Sequence, residues 1–132
     1  MDSMNYNFKK FDKINVRLET RITITKTNSI GFPTQFSVDN EIKKFKYAVL
    51  FYDKSSEAIG IQFTNNESEP NKFTIIQYEK YGASVIARSF FKVNHIDTEL
   101  YHGRYKWKIV EIDNIGKIYV IELNNKNLES KQ

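Results

Sequence analysis

The sequence has no cysteine. That one absence removes disulfides, thiolate metal sites and cysteine nucleophiles together. It fits a reducing compartment, and a cytoplasmic location is expected. No apolar run follows a basic N-terminal start, so no secretory signal is read. No stretch approaches the roughly 18 apolar residues a spanning helix needs, so no membrane partner is expected. Glycine is scarce, five in all and none clustered, which excludes a glycine-rich phosphate loop. No Gly-x-Ser-x-Gly elbow occurs, and Ser84 in Gly82-Ala83-Ser84-Val85 has no such setting. Long segments of helical period are also missing. The expectation is a protein that is not an enzyme and carries no cofactor.

What is present is alternation. At 132 residues the chain fits one domain. Arg17 to Lys26 alternates, with Leu18, Ile22 and Ile24 on one parity and Arg17, Arg21 and Thr23 on the other. The runs Tyr47–Tyr52 and Ile59–Phe63 flank Asp53-Lys54-Ser55-Ser56, a hairpin signature. Residues 65–71, NNESEPN, read as a polar loop, Phe73–Tyr78 as a strand and Ala83–Ala87 as a short strand. Ser89 is placed to cap a brief helix through Phe90, Phe91 and Val93. A second hairpin joins Tyr105–Ile112 to Lys117–Leu123 across Asp113-Asn114. The expected fold is mainly β, a small barrel or sandwich of about seven strands with short helices only.

The two halves look alike. Phe36-Ser37-Val38 and Phe91-Lys92-Val93 each precede a basic and aromatic strand, an Asp-led turn (Asp53, Asp113) and a closing strand. This suggests two related β-α-β-β units, 17–64 and 73–123, within a domain of residues 16–123. Residues 1–15 read as a polar arm and 124–132 as a flexible tail.

The stretch Ser29-Ile30-Gly31-Phe32-Pro33, followed by Gln35-Phe36, Tyr47–Asp53 and Ile59–Phe63, resembles the layout of the AbrB-type swapped-hairpin transcription factors over about residues 21–64, with an echo in 83–123. The resemblance implies that Asn28-Ser29 turns the chain, that Pro33 starts a one-turn helix, and that two units interleave hairpins into one barrel. It also implies duplex DNA on a basic face, a regulatory role, and a homodimer as one way to supply the second unit. Asn28-Ser29 stands where the family commonly has Gly-Arg, and Phe45-Lys46 lies near the place of its Gly-Asp. The matched residues therefore speak to fold more than to DNA contact.

Charge gives an independent lead. Residues 1–50 carry nine Lys and Arg against five Asp and Glu, whereas residues 51–132 carry eleven of each. Within His102-Gly-Arg-Tyr-Lys-Trp-Lys108, strand periodicity puts Arg104, Lys106 and Lys108 on one face and Tyr105, Trp107 and Ile109 on the other. Lys44 and Lys46 repeat the alternation beside Phe45, Tyr47 and Val49. Two readings stand: a solvated basic face over an aromatic core, or rows that hold phosphates. On the second, Arg21, Lys26 and Lys43 extend the track. Exposed Tyr47, Tyr52, Tyr105 and Trp107 would instead make stacking platforms for a single strand. A protein-interaction or assembly module is the alternative function. His95, Asp97, Glu99 and His102 are weighed as a metal site and read as a polar loop, so no metal is assigned.

Overall fold

The computed structural model describes residues 6–10, 19–80 and 82–127. The start of the expected first strand at Arg17 and Leu18, most of the arm and the end of the tail lie outside them. The described chain forms two antiparallel sheets stacked about one core, joined by short helices.

The first hairpin pairs β1 (Ile22–Ile24) with β2 (Ser29–Phe32). Ile22, Ile24, Ile30 and Phe32 point inward and are at most 1% exposed, while Thr23 and Gly31 face out. Asn28 turns the chain with φ 69°, a left-handed conformation that asparagine tolerates. The segment Ser29-Ile30-Gly31-Phe32, expected as a short apolar step, is a central strand. Helix α1 (Thr34–Asp39) follows, with Pro33 extended at its N-cap. A 3-10 turn (Ile42–Lys44) leads into the hairpin β3 (Tyr47–Asp53) and β4 (Ala58–Thr64), as the Asp53 signature requires.

The segment Phe73–Tyr78 is two short strands rather than one. β5 (Phe73–Thr74) adds to β3, whereas β6 (Ile76–Gln77) pairs with β7 (Ala83–Ile86) in the other sheet. Helix α2 (Arg88–Val93) begins after Ala87, so Ser89 lies inside the helix and does not cap it. Helix α3 (Thr98–Tyr101) is capped by Asp97, whose carboxylate accepts from the Glu99 N–H at 3.0 Å. Then come β8 (Gly103–Tyr105), β9 (Lys108–Ile112), β10 (Gly116–Glu122) and, within the expected flexible tail, β11 (Lys126–Asn127) paired to β8. The described residues form eleven strands, because several expected strands are cut where the chain changes sheet.

The sheet orders are β11-β8-β1-β2-β7-β6 and β5-β3-β4-β10-β9. The two halves occupy corresponding places: β2 against β7 and β4 against β10 at the centres, with β1 and β6, β3 and β9 outside them. Local bonding repeats too. Thr25 N–H donates to Ser29 O, and Tyr78 N–H to Gly82 O, both at 3.0 Å. Asn40 closes α1 on Phe36 O through both its backbone N–H and its side-chain amide, and Asn94 closes α2 on Phe90 O in the same way. A left-handed residue follows each, Glu41 at φ 54° and His95 at φ 57°, and then a buried isoleucine, Ile42 or Ile96. These bonds match Phe36 with Phe90, one residue from the Phe36–Phe91 match read off the sequence.

The core is one cluster built on these repeats. Phe36 is its hub, fully buried, with ring centroids 5.1 Å from Trp107, 5.4 Å from Tyr119 and 5.6 Å from Phe32. No helix among the described residues is long and apolar enough to cross a membrane.

Candidate nucleic-acid interface

The eight candidate basic residues do not form one track. Arg104 lies on β8 in the first sheet and Lys108 on β9 in the second. The chain crosses between sheets at Lys106-Trp107, so the expected single strand face of Arg104, Lys106 and Lys108 is broken there. Trp107 and Ile109 show the consequence. Tyr105 is fully buried and Trp107 half-buried against the core, but Ile109 is 49% exposed. Lys43 and Lys44 sit on the 3-10 turn rather than on a strand, and Lys46 precedes β3. Lys46 O accepts from the Ile75 N–H beside β6, at the far end of the first sheet from β8. Four strand spacings separate β6 from β8, about 20 Å.

Acidic partners already occupy most of these cations. Arg21 binds Glu19 through two guanidinium nitrogens at 2.8 Å, with only 12% of the Arg21 side chain exposed. Arg104 stands 3.8 Å from the same carboxylate. The Arg21 guanidinium bond, helped by the Arg21 N–H and by the charges of Arg21 and Arg104, pulls the Glu19 pKa down to about 2 against the opposing effect of burial. Lys44 pairs with Glu41 at 2.6 Å, Lys46 with Glu67 at 3.4 Å and Lys108 with Glu122 at 3.6 Å. Lys26, Lys43 and Lys106 are exposed and have no ion pair among the described residues. Glu19 and Arg21 stand two residues apart just before β1, a spacing present in the sequence. Glu67 and Glu122 are brought in only by the fold.

The aromatic platforms differ in the same way. The Tyr105 hydroxyl donates to Tyr101 O at 2.5 Å, and burial raises its pKa. Tyr47 donates to Glu67 at 2.6 Å, and the Lys72 ammonium sits 4.9 Å from its ring centroid. Tyr52 packs edge-on against Phe90. Trp107 stands apart. Its Nε1–H donates to Thr20 O at 2.8 Å and its ring abuts Phe36 and Tyr119. The ring also lines an open recess of about 310 Å³ with Lys106, Lys108, Val120 and Glu122. At this crossover a half-exposed indole lies between two lysines, which suits a base and its phosphates.

The polar segment around α3 has structural employment. Asp97 caps the helix, and His102 Nδ1 lies 2.9 Å from Glu99 O. Among the described residues no three His, Asp or Glu side chains converge as a metal-binding group.

No protein-family model matches this chain, no curated protein matches it, and no solved structure matches it.

Proposed function

We propose that this is a nucleic-acid-binding β protein without catalytic activity, regulatory and cytoplasmic, that holds DNA at Lys106, Trp107 and Lys108. The observation that carries the reading is the recess at the sheet crossover, lined by Trp107, Lys106 and Lys108, the last paired with Glu122 on its rim. Arrangement of the strands supports it: two β-β-α-β-β halves share both sheets, with β1-β2 between β8 and β7 in one and β3-β4 beside β10-β9 in the other, which fits the swapped-hairpin resemblance and an origin by duplication. The ion pairs and the separation of Lys46 from Arg104 argue against a long duplex track. A short single-stranded segment is therefore the favoured ligand. Stacking on Trp107 contributes about 1–3 kcal/mol. Two phosphate contacts on a single strand give a log–log salt slope of about −1.4. Titration of a labelled single strand and the matching duplex, at low and physiological salt, tests this. Lys106→Ala with Lys108→Ala is expected to flatten the slope, and Trp107 emission is expected to quench on binding. Absence of binding at low salt would remove the reading.

A second reading has its own observation. Among the described residues, three of the four sheet edges end on two-residue strands, β11, β6 and β5, whereas the fourth is the five-residue β9. Ile109 and Ile112 on that edge are 49% and 38% exposed. Edges of this kind accept another strand, from a second copy of the chain or from another protein. Such association is insensitive to salt and is expected to disappear in Ile112→Asp, whereas phosphate-driven binding would survive that change.

A further inference from the structure

In the second half, α3 closes down on the β1–β2 turn. Thr98, only 6% exposed, donates to Asn28 Oδ1 at 2.9 Å, with Lys26 O 3.3 Å away. Ala87 N–H donates to Asn28 O at 2.9 Å. Thr98 stands two residues after the buried Ile96. In the first half the residue two after the buried Ile42 is Lys44, which is exposed and bound to Glu41. A recess of about 420 Å³ lies between α1 with its 3-10 turn and the described residues of the β6–β7 turn.

The recess has the makings of a binding site. Val38, 66% exposed on the surface of α1, is the one apolar side chain of the described lining, with Gly82 beside it. Thr34 and Gln77 add polar groups, and the Gln77 amide N–H₂ is already spent on Ile42 O and Phe45 O. The charged lining is Lys43, Lys44 and Lys80 against Glu41 and Glu79, one positive charge in excess. Glu41 is committed to Lys44, whose bond and charge, with the charge of Lys117, lower its pKa. Lys43 and Lys80 have no ion pair among the described residues. A volume of this size falls in the range of small-ligand sites.

We propose that this recess binds a small organic monoanion, its apolar body against Val38 and its acidic group held by Lys43 and Lys80. The excess of a single charge in the described lining favours a monoanion over a polyphosphate. The site is separate from the Trp107 recess and does not depend on nucleic-acid binding.

The test uses the full chain and the fluorescent monoanion 8-anilinonaphthalene-1-sulfonate, displaced by decanoate. The expected result is saturable one-site binding, weakened about tenfold or more by Lys43→Gln with Lys80→Gln, since charge-assisted contacts are the strong ones. Both lysines are exposed, so the double variant is expected to melt with the wild type. Lys106→Ala is expected to leave binding unchanged. Displacement by decanoate but not by equal decanol supports the acidic group. Unsaturable binding, equal displacement by decanol, indifference to the double substitution, or displacement by an oligonucleotide through these same lysines would each overturn the proposal.

Discussion

Gly82 is the position where one methyl group does most damage. It ends the β6–β7 turn, accepting the Tyr78 N–H, and lies against the end of β2. A Cβ there would stand 1.7 Å from Phe32 O and 2.7 Å from the Pro33 carbonyl carbon. Both are backbone atoms, so no side-chain rotation relieves the clash, and β2 must move away from the turn. Overpacking typically costs about 1–3 kcal/mol and occasionally more; a backbone collision belongs at the upper end, about 3 kcal/mol. At the 3–4 °C per kcal/mol expected for this length, Gly82→Ala loses about 10 °C in Tm. Two internal controls grade the effect. At Gly60 the added Cβ meets the end of Ile118 at 3.0 Å and Phe51 Cβ at 3.4 Å, contacts that a flexible side chain partly relieves, so about 1 kcal/mol is expected. At Gly31 the nearest atom is Thr23 Cβ at 3.7 Å, an ordinary contact. Alanine there removes the entropic cost of a strand glycine and is expected to be neutral or to add about 0.5 kcal/mol. Urea or thermal melts of the three variants measure the order. Gly82→Ala melting no lower than Gly60→Ala would refute the packing of the β6–β7 turn on β2.

Three further outcomes are expected. Glu19 has a folded pKa near 2, below the 4.5 of the free side chain, so its contribution is complete above pH 4.5 and is lost as pH falls towards 2; screening at the sheet surface holds it to about 1 kcal/mol, and urea melts of wild type and Glu19→Gln should differ at pH 6 and converge at pH 2. Trp107→Ala removes a half-buried ring and the bond to Thr20 O, so a loss of about 3 kcal/mol is expected in chemical denaturation; an unchanged midpoint would show that the ring packs on nothing. Thr98→Val keeps the volume but leaves Asn28 Oδ1 without its donor, costing about 1–2 kcal/mol and speeding exchange of the Ala87 amide, which hydrogen–deuterium exchange would detect.

Much of the fold is legible in the alternation because each hairpin couples it to a turn. Tyr47–Asp53 and Ala58–Thr64 pair as the Asp53 turn implies, since apolar parity and turn chemistry agree. The sheet crossovers are not legible. Alternation runs unbroken from Arg104 to Ile109, and nothing local marks that Tyr105 belongs to one sheet and Ile109 to the other. A bend between layers is chosen by the strands waiting on each side, β1 and β10, which are distant in sequence. The candidate site inherits this limit. Lysines that look like one row become separate groups, and Glu67 and Glu122 reach two of them from elsewhere in the chain. The helix ends were half legible: Asn40 and Asn94 are natural closing residues, but matching them requires the bonds to Phe36 and Phe90.

The repeat shapes what any ligand can be. A protein whose two halves present the same side chains offers a two-fold ligand two equal footholds. Here the shared features are interior: buried isoleucines, the paired asparagine closures and the hairpin bonds. The surfaces differ at corresponding places. Where the chain passes from a helical turn into the second sheet, the first half offers Lys46 tied to Glu67, and the second offers Lys106 unpaired among the described residues beside the open face of Trp107. Where the helical turn meets the hairpin, Thr98 binds Asn28 in the second half, and Lys43 and Lys80 line a recess in the first. Stability demands that both halves keep the interior, because each sheet is completed by strands of the other half. It makes no such demand on the exposed corners, and each corner has taken its own chemistry. The surface is asymmetric: the proposed nucleic-acid contact lies in the second half and the proposed small-molecule recess in the first.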